Sequence, residues 1–124
     1  MTTQPAGKDL DPTPLVGSLT EKSTAGKLNW QATADEHTFI ASVGGETTLK
    51  ITLESVEGFN DFTGNPEMTQ EPVLYMLDAK GRALWEISSS QVKGGLWPMY
   101  RLAQRIGNKL DERMAAVMQA LEKL

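Results

Sequence analysis

Thr48–Val56 reads TLKITLESV, and its alternation decides the fold. Leu49, Ile51 and Leu53 point one way, while Thr48, Lys50, Thr52 and Glu54 point the other. A period of two with one apolar side marks a strand with one dry face and one wet face, as antiparallel sheets allow. Just before it, Gly44-Gly45 offers the positive φ angles of a two-residue hairpin turn. Thr38–Val43 then becomes the partner strand, with Phe39, Ala41 and Val43 on one face. Further back, Leu28, Trp30 and Ala32 alternate with Asn29, Gln31 and Thr33, which predicts a first strand from Lys27. Thr13-Pro14 looks like a helix start, because Thr can accept from a free first-turn N–H and Pro has no N–H to lose. Leu15, Val16 and Leu19 continue at helical spacing and Gly26 is a natural stop, so a helix is expected over 14–25. Residues 1–12 hold Pro5, Gly7 and Pro12 and no aromatic, which predicts a flexible tail before a single domain over 13–124.

Working forward, residues 57–71 (EGFNDFTGNPEMTQE) break the alternation. Gly58, Gly64 and Pro66 predict an irregular loop, and Phe59 and Phe62 are its aromatics. Val73–Leu77 (VLYML) is apolar on both sides, as a strand covered on both faces would be. Asp78–Gly81 forms a turn, and Ala83, Trp85 and Ile87 alternate in a fifth strand that ends at Ser88-Ser89-Ser90. Leu96, Met99, Tyr100, Ala103 and Ile106 share one helix face. Gly107 can end that helix, and Asn108 with Asp111 resembles a capping box for the next. There Leu110, Met114, Val117, Met118, Leu121 and Leu124 form a second stripe. The order predicts an α+β domain: an N-terminal helix, about five antiparallel strands, and two C-terminal helices on one face of the sheet.

Leu19–Trp30 (LTEKSTAGKLNW), followed by Thr33 and Thr38-Phe39, resembles a segment of a group of short bacterial proteins without an assigned activity. Leu77–Glu86 (LDAKGRALWE) is similar to their later hairpin, and Leu96–Ala103 with Leu110-Asp111 to their closing helices. The resemblance covers most of residues 19–124 and implies the same architecture. It brings no cofactor, partner or site residue with it, and Val56–Glu71 has no counterpart in it.

Composition narrows the chemistry. The chain has 124 residues, no Cys, one His, and a formal charge of −4. Without Cys there is no disulfide, thiolate zinc site or Cys nucleophile, and one His excludes a multi-His metal site within one chain. No apolar run nears the roughly 20 residues of a membrane span, and the N-terminus lacks the apolar core of a secretory signal. A cytoplasmic protein without a membrane partner is the expectation. Net acidity argues against nucleic acid, whose affinity rests on neutralised phosphates. The charge is uneven, however: residues 91–124 carry six basic against three acidic groups, so that segment is +3 and the remainder −7.

Each catalytic motif has a plainer reading. His37 follows Asp35 and Glu36, an arrangement that suits either an oriented base or an exposed turn. Glu57, Asp61 and Glu67 share the 57–71 stretch, but not with the spacing of an EF-hand. Lys93-Gly94-Gly95 precedes a helix and could meet an anion, though glycine is common at helix starts. Trp30 and Trp85 read as core, and so does the Met114/Met118 stripe, with an adaptable partner surface as the alternative.

No catalytic residue, metal or cofactor is therefore assigned. The expected function is a non-catalytic binding or adaptor module acting through protein–protein contacts. Phe59, Phe62 and Trp97 would bury against the partner, and Arg101 and Arg105, spaced i, i+4, would orient it. The alternatives are a small acidic chaperone of the secretion type, an immunity-type inhibitor, and, ranked below them, a hydrolase with dispersed carboxylates. A homodimer is compatible with each.

Overall fold

The computed structural model describes residues 10–124. Most of the expected tail, residues 1–9, lies outside the described residues. The order is α1 (Thr13–Thr24), β1 (Gln31–Ala32), β2 (Phe39–Val43), β3 (Thr47–Phe59), β4 (Pro66–Leu77), β5 (Ala83–Ser88), a 3-10 turn (Ser89–Gln91), α2 (Trp97–Gly107) and α3 (Leu110–Glu122). The five strands form one antiparallel meander in the order β1-β2-β3-β4-β5. The fold is α+β, with an N-terminal helix and two C-terminal helices.

Register explains the core. Phe39, Ile51, Leu74 and Ile87 lie side by side across four strands, and all four are buried. Ala41, Leu49, Met76 and Trp85 form the next row on the same face. Val16 and Leu19 of α1 and Leu96, Met99, Tyr100 and Ala103 of α2 close over these rows. Gly44 and Gly45 take φ angles of 70° and 82°, as the β2–β3 turn requires.

Several local expectations change. Leu28 and Trp30 are buried, but only Gln31–Ala32 pairs as strand. Pro12, not Thr13, takes the N-cap position of α1 and has no capping side chain; from the residue before it, Asp11 Oδ1 accepts the Thr13 N–H at 3.0 Å. That bond holds the Asp11 carboxyl below its ordinary pKa. Thr13 Oγ1 instead accepts the Lys93 N–H, which ties α1 to the loop before α2.

Gly107 is the last residue of α2, and its missing Cβ has a second reason. A Cβ there would stand 2.6 Å from Phe39 Cδ1, so the helix lies directly on β2. At the α2–α3 corner, Lys109 takes the left-handed conformation (φ 54°) and the cap position expected of Asn108. Asp111 binds Arg105 in place of capping, and the Asn108 carbonyl accepts from Arg113 Nε.

The largest correction concerns 57–71. β3 and β4 run on as a paired two-stranded arm to Phe59↔Pro66. Pro66 is tolerated because it is the first residue of its strand, and Gly58 pairs opposite Glu67. Only residues 60–65 turn. Asn60 holds the tip, with its Oδ1 accepting the Phe62 and Thr63 N–H groups at 2.8 and 3.2 Å.

β4 is not covered on both faces either. Its outer side carries Val73, which is buried, and Tyr75 and Leu77, which are half-buried among strand neighbours, and the helices lie on the other face. Lys50 Nζ sits 4.7 Å from the Tyr75 ring centre, and the Tyr75 hydroxyl donates to Glu54. Desolvation, then this bond and the Glu54 charge, raise the Tyr75 pKa; desolvation chiefly raises that of Tyr100. These are the only two tyrosines. A folded-state pKa above the unfolded value contributes stability present below the ordinary tyrosine range near ~10 and lost as pH rises beyond it. Phenolate absorbance of the folded protein should therefore develop above that range. Ionisation of the Tyr75 phenol at its ordinary pKa, assigned by comparison with Tyr75→Phe, would contradict the outer-face arrangement.

Candidate functional site

Two apolar surfaces have no cover among the described residues. The first is the arm. Phe62 at its tip is 100% exposed, Phe59 is 72% exposed and Met68 is 64% exposed. Glu54–Glu71 holds five carboxylates and no Lys, Arg or His. An isolated two-stranded ribbon is marginal in water, because each strand keeps an unpaired edge and little is buried. β2 pairs with β3 only as far as Ile51, and β5 pairs with β4 only from Val73, so the arm has both edges open.

The second surface is α3. No residue of it is buried, and Leu110, Met114, Val117, Met118 and Leu121 all lie open. The stripe read as core is bare. A helix of 13 residues rarely holds by propensity alone, and its stability usually comes from packing an apolar face. The stripe borders a shallow concavity lined by Arg105, Leu110, Asp111, Arg113, Met114 and Val117. Arg113 and the Arg105–Asp111 pair thus rim an apolar floor.

The other expected residues fall into separate groups. Trp97 is about a third exposed and stands edge-on to Tyr100 at 5.8 Å. Arg101 lies over the Trp97 ring at 5.6 Å, a cation–π pair. Arg105 donates from Nε and Nη2 to Asp111 Oδ1 at 3.0 and 2.8 Å. Each arginine of the i, i+4 pair therefore has a partner in its own chain. Among the described residues no hydrogen bond, ion pair or aromatic contact joins Phe59 and Phe62 to this trio. The structure brings Trp97 and Arg101 together and leaves the arm and the α2–α3 corner as distinct features.

The catalytic candidates resolve into local structure. Asp35 accepts the His37 N–H and the Thr38 hydroxyl at 3.0 and 2.9 Å, so its carboxylate organises the turn. Those bonds hold its pKa below the ordinary value. The His37 ring meets Glu36 at 3.3 Å and the Tyr100 hydroxyl at 3.5 Å. At the Gly94-Gly95 corner, the Lys93 N–H donates to Thr13 and the Leu96 N–H to Ser89 Oγ. Among the described residues no three His, Asp or Glu side chains converge as a metal site, and no helix is long and apolar enough to cross a membrane.

Sequence reasoning singled out the arm aromatics but assigned the α3 stripe to the core. The spacing of Leu110, Met114, Val117, Leu121 and Leu124, alternating four and three, was the available signal. It marks an apolar helix face that packs against something, without saying whether the cover belongs to the same chain. Comparison of the chain with known protein families, with curated proteins and with solved structures finds no match.

Proposed function

We propose that the protein is a non-catalytic binding module that works through protein–protein contacts made by α3 and the β3–β4 arm. One observation carries this reading: α3 displays a continuous apolar stripe that nothing among the described residues covers. Lone exposed hydrophobics are ordinary, but a contiguous stripe on one helix is what partner-binding surfaces look like. The arm supports the same reading, because Phe59 and Phe62 give it aromatic anchors of the kind that dominate interface energetics. On this reading Trp97, held by Tyr100 and Arg101, is not one of the anchors.

Affinity capture from the native host, followed by reconstitution with the purified captured protein, tests the proposal. Phe59→Ala with Phe62→Ala, and separately Met114→Lys with Leu121→Lys, should each weaken binding at least about tenfold. The melting temperature should hardly move, since all four side chains are exposed. Undiminished binding by both double variants would remove these surfaces from the function.

A further inference from the structure

The arm and α3 are unfinished in complementary ways. Leu49, Ile51 and Leu53 of β3 face the helices. The period of two puts Ser55, Glu57 and Phe59 on that same face, and the register adds Gln70, Met68 and Pro66 from β4. The helix-bearing face of the sheet therefore continues past Leu53 onto the arm, where no helix among the described residues lies over it: Phe59 and Met68 are exposed. α3 is the opposite case, an amphipathic helix with no sheet beneath its stripe.

Charge adds a direction. The arm's charged side chains are all carboxylates; Glu57 lies on the face in question and Glu67, opposite Gly58, on the other. The concavity beside the α3 stripe is lined by Arg113 and by Arg105, which is paired with Asp111 of the same lining. Glu57 beside Phe59 and Met68 and Arg113 beside the apolar floor are thus opposite in sign, and the two surfaces match in hydrophobicity.

From these features we infer that the partner is a second copy of this chain: α3 of each protomer lies on the arm of the other, in a reciprocal twofold exchange. The inference rests on the binding reading above and names the occupant of its surfaces. Twofold closure uses every copy of both surfaces and leaves none to propagate a filament. One helix on one ribbon is a small contact. Its repetition about the axis doubles the area toward the roughly 1,000 Å² that a stable interface needs.

Sedimentation of the full-length protein over a range of concentrations tests this. The wild type should dimerise, and about 1 M salt should weaken the dimer at least about tenfold by screening the carboxylate–arginine contacts. Phe59→Ser with Met68→Ser, an arm lesion, and Val117→Lys with Leu121→Lys, a helix lesion, should each yield monomer. Mixed in equal amounts at high concentration, they should form a heterodimer weaker than the wild-type dimer, because one of the two contacts, the intact helix of one on the intact arm of the other, is kept. Glu57→Lys should also weaken the dimer, whereas Glu67→Lys on the opposite face should not, and neither substitution touches an apolar contact. Three results overturn the exchange: a monomeric wild type, an arm-lesion protein that still dimerises (α3 then pairs with α3), or no association on mixing. If the wild type is monomeric but the Phe59/Phe62 and Met114/Leu121 variants still lose a captured protein, self-association falls and the binding reading stands.

Discussion

Trp30→Ala is expected to lower the unfolding free energy by about 3–5 kcal/mol, the range for deleting a large buried aromatic. Trp30 is 1% exposed and belongs to the core formed by α1, α2 and the sheet. It follows the turn after α1 and precedes β1, so it fastens the N-terminal helix to the edge of the sheet. Its indole Nε1–H donates to the buried Ser23 hydroxyl at 2.9 Å. Ser23→Ala removes that acceptor and leaves the donor buried without its bond, at about 1–3 kcal/mol. In a Trp30→Phe background the donor is gone, and Ser23→Ala should then be close to neutral. Urea unfolding of the four proteins gives the coupling. Equal effects of Ser23→Ala in both backgrounds would show that the bond contributes nothing.

Phe39→Ala should destabilise by a similar amount, about 3–5 kcal/mol. Phe39 lies between Ala32 and Ile51 in the sheet register and meets the Tyr100 ring edge-on at 6.0 Å. Gly107 approaches the same ring so closely that any Cβ must displace it. Gly107→Ala in the native background is therefore expected to cost about 1–3 kcal/mol, as overpacking does. In the Phe39→Ala background the ring contacts disappear and only the Ala32 backbone N, 3.3 Å away, still crowds the Cβ. The gain in helix propensity, up to about 1 kcal/mol, then offsets most of what remains, and the effect should fall close to zero. A double-mutant cycle measures this directly. Destabilisation of the same size in both backgrounds would mean that Gly107 serves the end of α2 and not its contact with β2.

Elements whose local pattern agrees with their packing were legible in the sequence. β2, β3 and β5 followed from alternation, and α2 from its stripe, because each buries the face that its spacing advertises. The arm was hidden because Gly58, Gly64 and Pro66 look like strand breakers when position is ignored. Gly64 lies in the tip, Pro66 begins β4, and only Gly58 interrupts a paired strand. The double-sided reading of Val73–Leu77 failed because Tyr75 and Leu77 are sheltered by strand neighbours such as Lys50, with no second helical layer. α3 was recognised as a helix, but its exposure lies in no local pattern: an amphipathic helix looks the same whether its cover comes from its own chain or from another. Of the candidate site, Phe59 and Phe62 were visible as aromatics in polar surroundings. Arg105 was not visible as a corner residue, since its bond to Asp111 depends on the left-handed turn at Lys109.

Hydrogen exchange followed against protein concentration tests most directly whether α3 and the arm are built to be covered. In dilute solution the amides of Leu110–Glu122 and of the arm from Glu54 to Glu71 should exchange quickly, while those of Phe39–Val43 and Val73–Leu77 stay protected. Raising the concentration should slow exchange in α3 and in the arm together and leave the sheet core unchanged. Strong protection of α3 that is the same at every concentration would show that the lone chain already buries this helix, and the account of both surfaces would fail.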